Sequence, residues 1–130
     1  MRVKVWTLAI VMSVMLLGCS ADEVIRVGTP TYHEGTGTLS IYFETEITDV
    51  DAVAAVRKIV VNSKDIEQPI DLSDEPDLFF SLDRPKEGIS EIRRSMWFEA
   101  DGSAVLYNES TGYSTVTKEQ TIELKSLLER

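Results

Sequence analysis

The sequence has 130 residues, with 13 Lys and Arg, 22 Asp and Glu and one His, and its formal net charge at pH 7 is −9. This acidic excess excludes a nucleic-acid-binding surface and disfavours electrostatic adhesion to anionic lipid, because both require a basic face. The single Cys excludes an intrachain disulfide and, with the lone His, a zinc site built from Cys and His ligands.

The N-terminal segment has the pattern of a signal peptide. Arg2 and Lys4 form a short basic region, and residues 5–17 carry no charge. A helix over those residues would reach about 20 Å, short of the ~30 Å hydrocarbon core of a bilayer. A permanent transmembrane span is therefore the weaker interpretation.

Cys19 closes this apolar run and is the predicted lipidation site. Leu16, Leu17 and Gly18 precede it, and Gly18 supplies the small side chain that a lipoprotein signal peptidase accepts next to the cysteine. Acylation of Cys19 would hold the protein on the outer face of a cell membrane, since two or more acyl chains give lasting attachment. The alternative is an ordinary signal peptide, cut nearby, whose cysteine is incidental.

The predicted chain after cleavage consists of a tether at residues 19–23 and a single domain at residues 24–130. Loss of residues 1–18 removes two basic residues and no acidic one, which leaves 11 basic and 22 acidic residues. A chain of this length buries enough apolar surface to fold as one domain. At about 3.3 Å per extended residue, the tether keeps the domain within about 13 Å of the membrane.

Two β-strands are predicted first. Residues 24–27 form a short β-branched run, and residues 39–47 alternate apolar and polar side chains with a period of two. That period predicts a strand with one buried face. The predicted buried residues are Leu39, Ile41, Phe43, Thr45 and Ile47.

A helix is predicted next, with Thr48 as its N-cap and its end at residues 61–63. Asp51, three residues after Thr48, completes a capping box and places negative charge at the positive end of the helix dipole. The predicted apolar side of this helix is formed by Val50, Val53, Val56 and Val60.

Residues 64–77 form a predicted polar loop with two prolines and six acidic residues. This is the only acidic cluster dense enough to consider for a calcium ion. The EF-hand spacing counted from Asp71 fails, because Pro76 stands where Gly is required and Leu82 where Glu is required. We predict a solvated loop and no metal site, although the sequence leaves open whether residues 71–77 bind a cation.

The second half of the domain has the pattern of an antiparallel meander. Residues 78–82 alternate, residues 84–88 form a turn, and residues 89–99 form a long strand. One face of that strand carries Ile92, Arg94, Met96 and Phe98, and the other carries Arg93, Ser95 and Trp97. Asp101 and Gly102 predict a hairpin, followed by strands at residues 103–107 and 113–116.

The chain is predicted to close with a helix. Thr117 and Gln120 form a capping box, and the apolar stripe consists of Ile122, Leu124, Leu127 and Leu128. The predicted fold class is α+β: a mostly antiparallel sheet of about five or six strands with two helices packed on one face.

Several of these residues, taken in order, resemble a known family. They are Asp71, Pro76 and Asp77 in the polar loop, Met96, Trp97 and Phe98 in the long strand, residues 113–117, and Thr121, Leu124, Lys125, Leu127 and Leu128 in the last helix. The chain resembles the YhfM-like domain of small Gram-positive lipoproteins over nearly all of its length after Cys19. The resemblance implies a lipoprotein on the outer face of the plasma membrane. It implies no established activity and no catalytic residue.

No catalytic residue, cofactor or metal site is predicted. His33 lies in a polar loop, and there is no Gly-x-Ser-x-Gly motif to present a serine to it. The candidate binding residues are Trp97, because aromatic side chains are enriched at binding hot spots, and Arg93, which could guide an anionic group. The simpler alternatives are a Trp97 packed on the sheet and an Arg93 on a solvated strand face.

Two functions follow as hypotheses. The first is a membrane-anchored, non-enzymatic accessory or binding lipoprotein that holds a protein or peptide of the cell envelope at a sheet edge or beside Trp97. The alternative is a small envelope hydrolase that uses Asp and Glu chemistry. The ligand, the process and the oligomeric state are left open.

Overall fold

The computed structural model describes residues 22–129. The predicted signal peptide and Cys19 lie outside the described residues. The described elements, in chain order, are β1 (Val24–His33), β2 (Thr38–Ile47), α1 (Val50–Val61), β3 (Lys64–Ile66), β4 (Leu78–Arg84), β5 (Ile89–Phe98), β6 (Ala104–Asn108), β7 (Gly112–Val116) and α2 (Lys118–Leu128).

The seven strands form one sheet in the order β2-β1-β4-β5-β6-β7-β3, and each neighbouring pair is antiparallel. The α+β class is confirmed, but the sheet has seven strands rather than five or six. The extra strand is β3, which lies within the predicted polar loop. Its three residues are too short to show a period, and Ile66 alone is apolar.

The core lies between the sheet and the two helices. Alternation along the strands directs one set of side chains toward α1 and α2, and we call this side of the sheet the helix face. Its fully buried members include Ile25, Phe80, Leu82, Met96 and Leu106, which join Val56 of α1 and Leu124 of α2 in one apolar cluster. We call the other side of the sheet the open face.

The first helix begins one residue later than predicted. Asp49, rather than Thr48, is the N-cap, and the backbone N–H of Ala52 donates to its carboxylate at 3.0 Å. The buried side of α1 is formed by Ala52, Val53, Val56, Ile59 and Val60, and Val50 lies away from the centre of this stripe, so it is 78% exposed instead of lying on the apolar side. The predicted end is confirmed, since α1 is followed by Asn62 as its C-cap.

The capping box of the second helix is confirmed. The N–H of Gln120 donates to the Thr117 hydroxyl at 3.1 Å, and the Gln120 side chain accepts from the Thr117 N–H at 2.8 Å. The predicted stripe is wrong at Ile122, which is 61% exposed. Thr121 lies on the buried side of α2 instead, and its hydroxyl is satisfied there because it donates to the Thr117 carbonyl oxygen at 2.8 Å.

A β-bulge divides β2 into two halves with opposite orientation. Val27 lies opposite Thr45, but the next residue of β1, Gly28, lies opposite Phe43, so Glu44 has no partner in the ladder. Neighbouring residues of β1 face opposite sides, so Thr45 faces the helices and Phe43 belongs to the open face. The prediction of one continuous buried face is therefore wrong.

Gly28 permits this bulge because the two strands approach closely there. A Cβ atom at this position would lie 2.7 Å from the Ile41 side chain and 2.8 Å from the Tyr42 carbonyl oxygen. Beyond the bulge, Leu39 and Phe43 are 39% and 43% exposed. The far half of β2 thus adds apolar side chains to the open face instead of to the core.

Ion pairs surround the first described residues. Arg57 of α1 pairs with Glu23 and also donates to Glu91 at 2.7 Å, and Arg84 donates to Glu91 at 2.5 Å. Lys86 pairs with Asp22 at 2.9 Å. The hydrogen bond from Arg57 is the largest cause that lowers the pKa of Glu91.

Candidate binding cleft

The open face is built by side chains that point away from the helices on consecutive strands. Strand pairing places Phe79 opposite Ser95, Ser95 opposite Tyr107, and Tyr107 opposite Tyr113. Residues two apart on a strand share a face, so Arg93 and Trp97 flank Ser95 on this same side. The structure therefore brings the two predicted binding residues onto one surface.

Residues 67–77, which we call the strap, connect β3 at one edge of the sheet to β4 near its centre and cross part of the open face. The indole N–H of Trp97 donates to the carbonyl oxygen of Ser73 at 3.0 Å. The carboxylate of Glu75 accepts from the N–H of Tyr32 at 3.1 Å, and that of Asp77 accepts from the N–H of Phe98 at 2.7 Å. These bonds tie the strap to β1 and β5.

Two of the five acidic residues of the strap thus have a structural use. Glu75 and Asp77 satisfy backbone donors of the sheet, as carboxylates commonly do where a loop crosses strand ends. Within residues 22–129, no group of three or more His, Cys, Asp and Glu side chains is placed to hold a metal ion.

A cleft of about 660 Å³ lies between the strap, the β6–β7 turn and the open face. Its floor includes Phe79, Ser95 and Trp97, and Leu39 and Ile41 from beyond the bulge also line it. Pockets of roughly 300–1,000 Å³ are typical of ligand sites. The cleft therefore has room for a small molecule or for one or two side chains of a peptide.

Three aromatic rings form a row on the cleft floor. The ring centroids of Tyr107 and Tyr113 are 4.5 Å apart at 33°, and those of Trp97 and Tyr113 are 6.4 Å apart at 36°. Burial is the larger cause that raises the pKa of Tyr113, and Tyr107 contributes. The row is half-buried, and it offers flat apolar surface to a ligand.

Arg93 lies over the ring of Phe79, with its guanidinium carbon 5.1 Å from the ring centroid. Phe79 is only 5% exposed, although it belongs to the open face, because the ring of Phe43 also packs edge-on against it at 6.0 Å. A cation held over a ring keeps its N–H donors available for other partners. Arg93 is itself exposed.

The sequence alone indicated two of the residues that form the cleft. Trp97 and Arg93 both line it, whereas His33 lies at the end of β1, where its Nε2 is 3.0 Å from the Ser40 hydroxyl oxygen. Sequence reasoning missed Tyr107 and Tyr113. Their positions in short strands next to a turn gave a usable signal only once the β6–β7 register was known.

The sequence matches no protein-family model, no curated protein and no solved structure. Neither helix among residues 22–129 has the length and apolar character needed to cross a membrane.

Proposed function

We propose that this protein is a lipid-anchored, extracytoplasmic binding module without enzymatic activity, and that the cleft on its open face holds a protein or peptide of the cell envelope. In this proposal, Cys19 carries the lipid and the domain stays at the outer face of the membrane. The YhfM-like lipoproteins, which the sequence resembles, have the same proposed location.

The observation that carries the binding part of this proposal is the cleft itself. Sheet alternation places Trp97, Tyr107, Tyr113 and Arg93 around one cavity, which the strap and the residues beyond the bulge in β2 also line. Exposed aromatic and arginine side chains dominate the binding energy of many interfaces.

The anchoring part of the proposal is supported by the sequence around Cys19. A basic start, an uncharged run, a glycine before the cysteine and a polar continuation occur together. The acidic domain does not itself seek an anionic membrane, so the acyl chains would supply the attachment.

Photo-crosslinking in cells tests the binding part. A benzoylphenylalanine at Ser110, on the rim of the cleft, should capture an envelope protein. The same group at Glu123, an exposed position on α2, is the matched control and should capture less. Equal capture from both positions, or capture from neither, would contradict the proposal.

Metabolic labelling with a clickable fatty acid tests the anchor. Wild-type protein should carry the label, and Cys19→Ser should lose it and leave the membrane fraction. Unchanged label on the Cys19→Ser protein would exclude this cysteine as the lipidation site. This test is independent of the cleft.

The hydrolase alternative is less well supported by the cleft. Asp74 and Glu109 are the acidic residues that line it, and both are exposed. A carboxyl group that acts as a general acid is normally buried or placed against a second carboxyl group. The geometry of the cleft therefore favours binding over hydrolysis.

A further inference from the structure

We infer that the cleft receives a carboxylate carried next to an aromatic ring, as in a peptide ligand that ends in an aromatic residue. This inference rests on the proposed binding function and specifies the chemistry of the ligand. Arg93 is the partner of the carboxylate, and the row of Trp97, Tyr107 and Tyr113 is the partner of the ring.

Arg93 differs from most other arginines of the described domain in having no ion-pair partner. Arg26, Arg57 and Arg84 each form an ion pair with a nearby carboxylate. In residues 22–129, by contrast, Arg93 has no carboxylate within ion-pair distance, even though the domain is strongly acidic. Arg94, on the helix face, is also without such a pair but donates to the carbonyl oxygen of Arg93 at 2.8 Å.

The chemistry of a guanidinium group makes Arg93 a carboxylate receptor. Its planar fork of N–H donors matches the two oxygens of a carboxylate, and such charged hydrogen bonds are about twice as strong as neutral ones. The Phe79 ring supports the cation without using those donors.

The spacing along β5 supplies the second argument. Ser95 lies between Arg93 and Trp97 on the open face. Each of these two residues is two positions from Ser95 along the strand and is therefore separated from it by roughly 7 Å. Because the Ser95 side chain is small, it leaves floor space between the guanidinium group and the rings. An aromatic amino acid can place its carboxylate at one end of this space and its ring at the other.

Two acidic residues of the cleft limit the negative charge that a ligand can carry. Asp74 and Glu109 line the same cleft as Arg93, so a ligand with several negative charges would be repelled. A single carboxylate can reach Arg93 and leave the rest of the ligand neutral. Polyphosphates and nucleic acid are therefore excluded as occupants.

The probes for the test are N-acetylphenylalanine, its neutral amide and glucuronate. The full chain is purified in detergent with Trp6→Phe, which leaves Trp97 as the only tryptophan and its fluorescence as the reporter. The key variant is Arg93→Gln. Lys125→Gln is the matched control, because Lys125 also lies over a ring, that of Phe98 at 5.3 Å, but on the helix side.

N-acetylphenylalanine should bind the parent protein, and Arg93→Gln should weaken this binding roughly tenfold or more, as expected for one charged hydrogen-bonded pair. Lys125→Gln should leave the affinity unchanged. The neutral amide should bind the parent protein no more tightly than N-acetylphenylalanine binds the Arg93→Gln variant.

The role of Arg93 would be overturned if the parent protein bound N-acetylphenylalanine and its amide with equal affinity. It would also be overturned if the parent protein and the Arg93→Gln variant bound N-acetylphenylalanine with equal affinity. Tighter binding of glucuronate than of N-acetylphenylalanine would overturn the role of the aromatic row. No binding of N-acetylphenylalanine up to its solubility limit would overturn the inference as a whole. If a partner is nevertheless crosslinked from Ser110, the proposed function stands and only its ligand chemistry is wrong.

Discussion

Phe79 and Phe80 are neighbours in sequence but belong to opposite faces of the sheet. Phe80 is fully buried under the two helices, whereas Phe79 is covered by Phe43, Arg93 and the edge of the cleft. The apolar stripes of α1 and α2 cover the helix face, whereas the strap and a few side chains cover only part of the open face. Stability therefore depends mainly on the helix face, whereas the open face keeps exposed and half-buried side chains.

The largest expected effect separates these two phenylalanines. Phe80→Ala should lower the free energy of unfolding by about 3–5 kcal/mol, the usual range for a buried Phe. Phe79→Ala should cost about 2 kcal/mol, because water can enter the cavity from the cleft side. Urea denaturation measures both values, and equal losses would show that the open face belongs to the core.

The bulge gives the next comparison. Glu44 has no partner in the strand ladder, so its deletion leaves Thr45 opposite Val27 and Phe43 opposite Gly28. We therefore expect the free energy of unfolding to fall by less than about 1 kcal/mol. Deletion of Glu46 would instead place Glu44 opposite Val27 on the helix face. A carboxylate there should cost at least about 2 kcal/mol. Thermal unfolding of the two proteins checks the order, and a reversed order would contradict the bulge.

Glu91 tests the ion pairs that join α1 to the sheet. Its ordinary pKa is near 4.5, and its pKa in the fold is lower, mainly because Arg57 donates to it. The ionised Glu91 therefore stabilises the fold at pH values above its ordinary pKa. This stabilisation is lost as the pH falls through the lower pKa that Glu91 has in the folded protein.

Glu91→Gln should accordingly cost about 1 kcal/mol at neutral pH, and the difference from wild type should narrow in acid. Glu87→Gln is the control, because in the described part of the chain Glu87 pairs with Arg84 alone, at 3.5 Å, and its side chain is 60% exposed. A pH-independent difference between wild type and Glu91→Gln would refute this explanation.

The smallest effect on global stability is expected at the strap. Trp97→Phe removes the N–H that donates to Ser73 and should cost about 0.5–1 kcal/mol. Its local effect should be larger, with faster proteolysis within residues 67–77. Tyr42→Phe, at an exposed position of β2, should change neither value. An unchanged proteolysis rate in Trp97→Phe would mean that Trp97 does not hold the strap.

Much of the helix face could be predicted from the sequence because most of its elements carry a local signal, although the N-cap of α1 and the exposure of Val50 and Ile122 differ from the prediction. The capping box at Thr117, the alternation of Ile92, Arg94, Met96 and Phe98, and the turns at residues 84–88 and 101–102 all have the predicted positions. Local hydrogen bonds and periodicity decide these features within a few residues of the chain.

The open face could be predicted only in part, because it depends on contacts between distant residues. The period of residues 39–47 is regular in sequence, and the bulge that reverses it arises from how Gly28 meets Phe43 on the neighbouring strand. The same alternation correctly placed Arg93 and Trp97 on one side of β5. The strap above them depends on bonds from Ser73 and Glu75 to strands far away in sequence.

The ion pairs of Asp22 and Glu23 with Lys86 and Arg57 have a mechanical consequence for an anchored protein. Since the fold holds these two residues, only Ser20 and Ala21 separate it from Cys19 in the sequence. An acyl chain at Cys19 would then restrict rotation of the domain as well as its distance from the bilayer. If Cys19 is acylated as proposed, this short link would narrow the range of orientations in which the cleft meets a ligand in the plane of the same membrane.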